Sequence, residues 1–93
     1  MSEPGRHEAT ARIINKRGLH ARASAKLVEA AARFKSQITV TKEGQSVDAR
    51  SIMGLMMLAA SLGCEIAITA EGPDAEEALV AILALVEAKF GEE

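Results

Sequence analysis

The chain has very few aromatic residues and no excess of positive charge. It contains no tryptophan, no tyrosine and two phenylalanines, so few rings are available to stack on nucleic-acid bases. Its 11 Lys and Arg are offset by 13 Asp and Glu, giving a formal net charge of -2, whereas nucleic-acid-binding domains carry basic patches. The single cysteine, Cys64, excludes an internal disulfide and a Cys-x-x-Cys metal site. We therefore expect no nucleic-acid partner and a reducing compartment.

Long apolar runs are also missing. The most apolar stretch, residues 52–60, is far shorter than the roughly 20 residues of a membrane-spanning helix. Residues 1–7 are polar and include Pro4 and Gly5, unlike a signal peptide, and we interpret them as a flexible tail. A chain of 93 residues that is 48% hydrophobic is predicted to form one small domain, residues 8–91, in the cytoplasm.

Hydrophobic periodicity predicts four strands and three helices. Alternating apolar residues predict strands over 8–13, 37–41, 47–49 and 65–70, and helical stripes predict helices over 21–34, 51–61 and 75–90. Ser51 is the predicted N-cap of the second helix, and Gly63 is predicted to be its left-handed C-cap. Asp74 and Glu77 have a spacing close to that of a capping box.

This βαββαβα order indicates an α+β fold. Each strand has one apolar face, which favours a mainly antiparallel sheet with helices packed on one side. The pattern leaves the strand order open, because a ferredoxin-like arrangement and other open-faced sandwiches share the same element string.

The segment from Gly18 to Arg22 joins the first strand to the first helix and contains His20. A histidine at a helix start lies where unpaired N–H groups and the helix dipole favour an anion. A phosphorylated histidine is such an anion, and the guanidinium of Arg22 suits phosphate oxygens. The alternative is an ordinary exposed loop histidine. A metal site is not expected, since the other histidine, His7, lies in the predicted tail.

The segment from Arg50 to Leu58 carries more apolar residues than one helix face needs. Leu55 and Leu58 group on one side of a helical wheel, while Ile52, Met53 and Met56 lie opposite or beside them. Exposed methionines are common at adaptable binding surfaces. Burial of the whole helix in the core is the alternative that the pattern leaves open.

Two segments closely resemble those of one family. Residues 15–22 (NKRGLHAR) resemble the active-site segment of HPr, the histidine-containing phosphocarrier family of the phosphoenolpyruvate phosphotransferase system. Residues 50–58 (RSIMGLMML) resemble its regulatory serine segment. The resemblance runs from about Glu8 to Phe90. It implies an HPr-like open-faced β-sandwich: a four-stranded antiparallel sheet of order 1-4-2-3, with three helices on one face.

The resemblance also implies roles for individual residues. His20 would take a phosphoryl group on Nδ1 from phosphorylated enzyme I and pass it to an enzyme IIA-type acceptor, with Arg22 as phosphate partner. Asn15 and Gly18 match the loop that shapes the site. Ser51 matches the serine phosphorylated by HPr kinase/phosphorylase. The matching docking residues are Ile52, Met53 and Met56.

A carrier of this kind needs no cofactor or metal, brings no catalytic apparatus of its own and is expected to be monomeric. One departure is Ala23, where the family often has proline; this removes no phosphate ligand. The resemblance does not separate the sugar-transport branch from the nitrogen branch, although the Ser-Ile-Met-Gly run is more similar to HPr proteins that meet a serine kinase. The alternative function is a non-transferring adaptor that binds a kinase or regulator through the same surface.

Overall fold

The computed structural model describes residues 5–92. The elements, in chain order, are β1 (Arg6–Arg12), α1 (Ala21–Ala31), β2 (Gln37–Lys42), β3 (Gln45–Asp48), α2 (Ile52–Met57), β4 (Glu65–Glu71) and α3 (Ala75–Glu87), followed by a short 3-10 turn at Lys89–Gly91. The predicted βαββαβα order is therefore confirmed.

The strands form one antiparallel sheet in the order β1-β4-β2-β3. Ile68 at the centre of β4 is opposite Ala9 of β1 on one side and Val40 of β2 on the other. Val40 in turn faces Val47 of β3. This order excludes the ferredoxin-like arrangement and confirms the α+β open-faced sandwich with three helices.

The two faces of the sheet differ in burial. One face carries the apolar side chains that pack under the helices, and strand alternation places them together. From β2 and β4 these are Ile38, Val40, Ile66, Ile68 and Ala70; from α1 and α3 they are joined by Ala23, Leu27, Ala31, Ala75, Ala78, Leu79, Ile82 and Val86.

At the centre of the opposite face, β2 and β4 carry small, half-buried side chains. Thr39 is paired with Thr69, and Thr41 with Ala67. Glu8 of β1 faces Thr69 from the other side. These side chains form cross-strand pairs on a face that contains none of the predicted site residues.

β1 begins earlier than predicted. The flexible tail over residues 1–7 is wrong for Arg6 and His7, which are paired with Glu71 and Ala70 of β4; residues 1–4 lie outside the described part of the chain. Because both side chains are polar, the alternation of apolar and polar residues does not reveal this part of the strand. An edge strand tolerates polar residues because its pairing uses backbone groups.

α2 is shorter than predicted, ending at Met57 instead of near residue 61. The left-handed residue that follows it is Ala59 (φ 52°), and Gly63 (φ 91°) is not its C-cap. The Gly63 N–H instead donates to the Ile13 carbonyl at 2.8 Å. Gly63 thus ties the loop before β4 to the end of β1.

Asp74 does not form the predicted capping box. It lies at the N-cap of α3, but its side chain makes no bond to that helix. Its carboxylate accepts from the backbone N–H groups of Lys35 and Ser36, each at 2.9 Å, and from the Ser36 hydroxyl at 2.5 Å. These bonds, the Ser36 hydroxyl first, lower the pKa of Asp74 below its ordinary value of 3.8.

No helix within residues 5–92 is both long and apolar enough to cross a membrane. In the same range, no group of three or more His, Cys, Asp and Glu side chains is arranged to hold a metal ion.

Candidate functional site

His20 is the N-cap residue of α1, with extended backbone angles (φ -71°, ψ 178°). Its side chain accepts no hydrogen bond from the helix. The first intrahelical bond runs from the Ser24 N–H to the His20 carbonyl at 2.9 Å, so the N–H groups of residues 21–23 precede the helical ladder. No acidic residue lies in this first turn. The start of α1 therefore keeps donors and positive dipole potential available for an anion.

The loop that carries His20 is held against the segment that follows α2. The Leu19 N–H donates to the Ala60 carbonyl at 2.9 Å, and the Leu19 side chain is buried. Gly18 has a left-handed backbone (φ 64°), and a Cβ here would overlap the Ala60 carbonyl oxygen and lie 2.8 Å from Cα of Ser61. Only glycine fits both the dihedral angle and the space.

Asn15 lies fully buried beneath this loop. Its Nδ2 donates to the Gly18 carbonyl at 2.8 Å and to Oε1 of Glu92 at 3.0 Å. Its Oδ1 has no partner among the described residues. Because both amide protons go to acceptors, the side-chain orientation is fixed by its hydrogen bonds.

Glu92 is absent from the residues that the sequence predicts for this site. Its second carboxylate oxygen, Oε2, pairs with Nε2 of His20. The hydrogen bonds from Asn15 and then His20 lower the pKa of Glu92 below its ordinary value of 4.5, and the charge of Arg17 acts in the same direction. The contact joins residues 72 positions apart in the chain.

A left-handed turn after α3 brings Glu92 to His20. Lys89, Phe90 and Gly91 all have positive φ (57°, 54° and 77°). The Phe90 side chain is fully buried, and its carbonyl accepts from Nζ of Lys26 at 2.6 Å. The only sequence signal for this turn is Gly91, which by itself indicates a helix end and not a contact with the first loop.

Arg22 follows His20 by two residues and is exposed. Its guanidinium makes no hydrogen bond or ion pair to any described residue. The structure thus brings Asn15, Gly18 and His20 together, whereas Arg22 contacts no acceptor within residues 5–92.

Ser51 is the N-cap of α2, as predicted. Its Oγ accepts from the Gly54 N–H at 2.9 Å. The side chain is half-buried, so the hydroxyl both completes the helix start and lies near the surface.

The apolar patch of α2 faces outward. Ile52, Met53 and Met56 are 40%, 70% and 42% exposed. Leu55 and Leu58, by contrast, are buried under the helix. The fully buried helix, the alternative for this segment, is therefore wrong. Met57, at 67% exposed, extends the patch; we call Ile52, Met53, Met56 and Met57 the apolar patch.

α2 also packs against α1, the helix that begins at His20. Together with the contact of Leu19 with Ala60, this packing connects the histidine loop to the segment that carries the apolar patch. The two segments that the sequence singled out are thus parts of one region of the surface.

Comparisons with known proteins agree with this geometry. Residues 7–88 match the family model described as the PTS HPr component phosphorylation site. The phosphocarrier protein HPr of Cupriavidus necator is 55% identical over 80 residues, covering 86% of this chain and 90% of that protein. The crystal structure of HPr-C-His from Thermoanaerobacter tengcongensis superposes with a TM-score of 0.90 at 50% identity, over 94% of this chain and 98% of that one.

A second structure from Thermoanaerobacter tengcongensis, that of an HPr dimer, is 48% identical and has a TM-score of 0.75, covering 99% of this chain and all of that one. A family model over most of the chain, close relatives along nearly its full length and the shared fold lead to one conclusion. The chain belongs to the HPr family of phosphocarrier proteins of the phosphotransferase system.

Proposed function

We propose that His20 accepts a phosphoryl group from phosphorylated enzyme I and passes it to an enzyme IIA-type acceptor in the cytoplasm. The observation that carries this proposal is the start of α1, where His20 occupies the N-cap position and leaves the helix donors uncapped. A dianionic phosphoryl group bonded to the ring would be stabilised by those N–H groups and by the helix dipole. The site therefore favours the charged product of the transfer.

Arg22, Asn15 and Gly18 support this role in different ways. The exposed guanidinium of Arg22 has donors available for phosphoryl oxygens. The bond from Asn15 to the Gly18 carbonyl braces the loop from inside. The positive φ of Gly18 lets the loop lie directly against Ala60.

The apolar patch is the proposed docking surface for enzyme I and the acceptor. Its four side chains are each at least 40% exposed, and burial of such side chains at an interface supplies binding energy without a pocket. Both partners must reach the same histidine, so a shared surface on α2 serves each in turn. We propose that the working form is a monomer, since dimerisation over this patch would compete with docking.

Ser51 is proposed as a regulatory phosphorylation site for a kinase of the HPr kinase/phosphorylase type. A phosphate there would lie at the start of α2, where negative charge suits the helix. It would also lie next to Ile52 and Met53, which a partner must desolvate. Burying a phosphate in such an interface without a matching arginine is costly, so the modification would slow transfer to His20 without unfolding the domain.

The proposal is tested by incubating the protein with phosphoenolpyruvate and enzyme I and measuring its intact mass. The wild type should gain one acid-labile phosphoryl group, and His20→Ala should gain none. His7→Ala is the matched control, because His7 lies in β1 away from α1. Phosphorylation of His20→Ala would disprove the proposal, and a wild type that never gains the group would favour the adaptor function.

The role of Arg22 is tested in the same assay. Arg22→Ala should slow transfer roughly tenfold to a hundredfold, the scale of one lost charge-assisted hydrogen bond. Arg33→Ala, which removes an exposed arginine beyond the other end of α1, should leave the rate unchanged. Equal rates for wild type and Arg22→Ala would assign phosphate stabilisation to the helix N–H groups alone.

A further inference from the structure

We propose that Glu92 is a positioning residue that holds the His20 ring with its proton on Nε2, leaving Nδ1 as the nucleophilic nitrogen. The inference rests on the proposed function, in which His20 carries the phosphoryl group. Its basis is the pairing of Oε2 of Glu92 with Nε2 of His20. A carboxylate has no proton to give, so the ring must donate from Nε2.

The carboxylate is held at both oxygens. While Oε2 faces the ring, Oε1 accepts from Nδ2 of Asn15 at 3.0 Å. Asn15 cannot reverse its amide, because its Oδ1 would then face two acceptors, the Gly18 carbonyl and Glu92. The buried asparagine therefore fixes the carboxylate, and the carboxylate fixes the ring.

The backbone before Glu92 is anchored as well. Lys89 and Phe90 adopt left-handed angles that are unfavourable for non-glycine residues. The buried ring of Phe90 and the bond from Lys26 to the Phe90 carbonyl hold the turn in this conformation. A carboxylate that merely lay on the surface would have no such support.

This arrangement suits the proposed transfer. The lone pair of Nδ1 forms the new nitrogen–phosphorus bond, while the electron pair of the bond that breaks leaves with the donor group of phosphorylated enzyme I. The Nε2 proton stays on His20, and the positive charge that develops on the ring faces the Glu92 carboxylate. The same contact thus orients the ring and stabilises its charge during the step.

The ionisation of Glu92 is consistent with this role. Its pKa is held below the ordinary value by the bonds from Asn15 and His20, so the side chain is a carboxylate at neutral pH.

Glu92→Gln, which keeps the shape and removes the charge, tests the inference in the purified full-length protein. Transfer from phosphorylated enzyme I should show a kcat about tenfold lower with an unchanged KM for the carrier. Glu87→Gln is the matched control, because it makes the same change at an exposed position of α3. Glu92→Ala, which removes both oxygens, should lose at least as much.

A spectroscopic readout separates positioning from general stability. The proton on Nε2 of His20 should be visible by nitrogen-resolved NMR in the wild type and in Glu87→Gln, and should exchange too fast to detect in Glu92→Gln. An unchanged kcat, a faster transfer or a rise in KM alone would overturn the inference. Any of these results with His20 still phosphorylated leaves the proposed function intact, whereas phosphorylation of His20→Ala refutes that function and this inference with it.

Discussion

The N-termini of α1 and α2 differ in whether an N-cap side chain accepts a hydrogen bond from the first backbone N–H groups. At α2, Ser51 returns its hydroxyl to the Gly54 N–H and completes the helix from within. At α1, His20 occupies the equivalent position but makes no bond to the helix. Its ring is instead bonded to Glu92, which comes from the other end of the chain. One helix start is satisfied by its own sequence, and the other keeps its donors unused.

The difference has a cost in stability. A Ser, Thr, Asp or Asn N-cap is worth about 0.5–2 kcal/mol, and α1 lacks one. The uncapped N–H groups of its first turn are the ones that we propose stabilise the phosphoryl group. The loop before α1 must then be held by other means, which are the bonds of Asn15 and Leu19 and the close packing of Gly18.

The largest expected effect comes from disturbing that packing. Gly18→Ala should lower the free energy of unfolding by about 2–4 kcal/mol, because it combines a left-handed alanine with overlap against Ala60. Gly44→Ala is the control: its φ of 82° is also positive, but nothing lies within 4 Å of its added Cβ. That variant should lose about 1 kcal/mol. Equal losses in denaturant titrations would show that the loop moves aside without cost.

Substitutions of the N-cap residues Ser51 and His20 give the second-largest expected change in stability. Ser51→Ala should destabilise the protein by about 1 kcal/mol through loss of the bond from Gly54. His20→Ser should be about 1 kcal/mol more stable than His20→Ala, since both lose the ring but only serine caps the helix. Neither His20 variant should carry phosphate. Chemical denaturation measures all three, and identical stability of the two His20 variants would mean that α1 gains nothing from a cap.

Asp74, the N-cap residue of α3, predicts that the stability of the protein depends on pH. The pKa of Asp74 is lowered on folding, so its stabilising contribution is present above its ordinary value of 3.8 and is lost as the pH falls through the still lower folded value. Asp74→Asn should therefore be less stable than wild type at pH 7, with the difference shrinking at acidic pH. Melting temperatures across this range provide the measurement. If the difference in melting temperature between wild type and Asp74→Asn stays constant with pH, the charge of the Asp74 carboxylate does not contribute to stability.

The smallest expected change in stability is in the apolar patch. Met53→Glu should alter the free energy of unfolding by at most about 0.5 kcal/mol, because the side chain is 70% exposed. It should nevertheless weaken binding to enzyme I and to the acceptor together. Val80→Glu makes a similar change at a 60% exposed position of α3 and should leave both affinities unchanged. A large loss of stability in Met53→Glu would instead point to a role in folding.

Local patterns were sufficient for most elements. Strand alternation located β2 and β4, and Ser51 marked the start of α2 because its cap contacts a residue three positions away. The His20 loop was recognisable for the same reason, since Asn15, Gly18 and His20 lie within one short segment. The strand order required the family resemblance, since the element pattern left it open.

Interactions between distant segments were not predictable in this way. Glu92 reaches His20 across 72 positions through a turn that includes the non-glycine residues Lys89 and Phe90 in left-handed conformations. Asp74 has the spacing of a capping box, yet its carboxylate serves Lys35 and Ser36 of the α1–β2 loop. In both cases the competing partner is distant in sequence, and only the fold brings it close.

The face of the sheet opposite the helices contains none of the predicted site residues, so we expect it to tolerate substitutions. Thr39 is the cross-strand neighbour of Thr69, and Thr41 that of Ala67, so we expect substitutions there to act on strand pairing, by about 0.2–1 kcal/mol per pair. We expect such substitutions to change thermal stability without altering the proposed transfer at His20. We expect a fluorescent label attached to this face to report partner binding without blocking the proposed docking surface on α2.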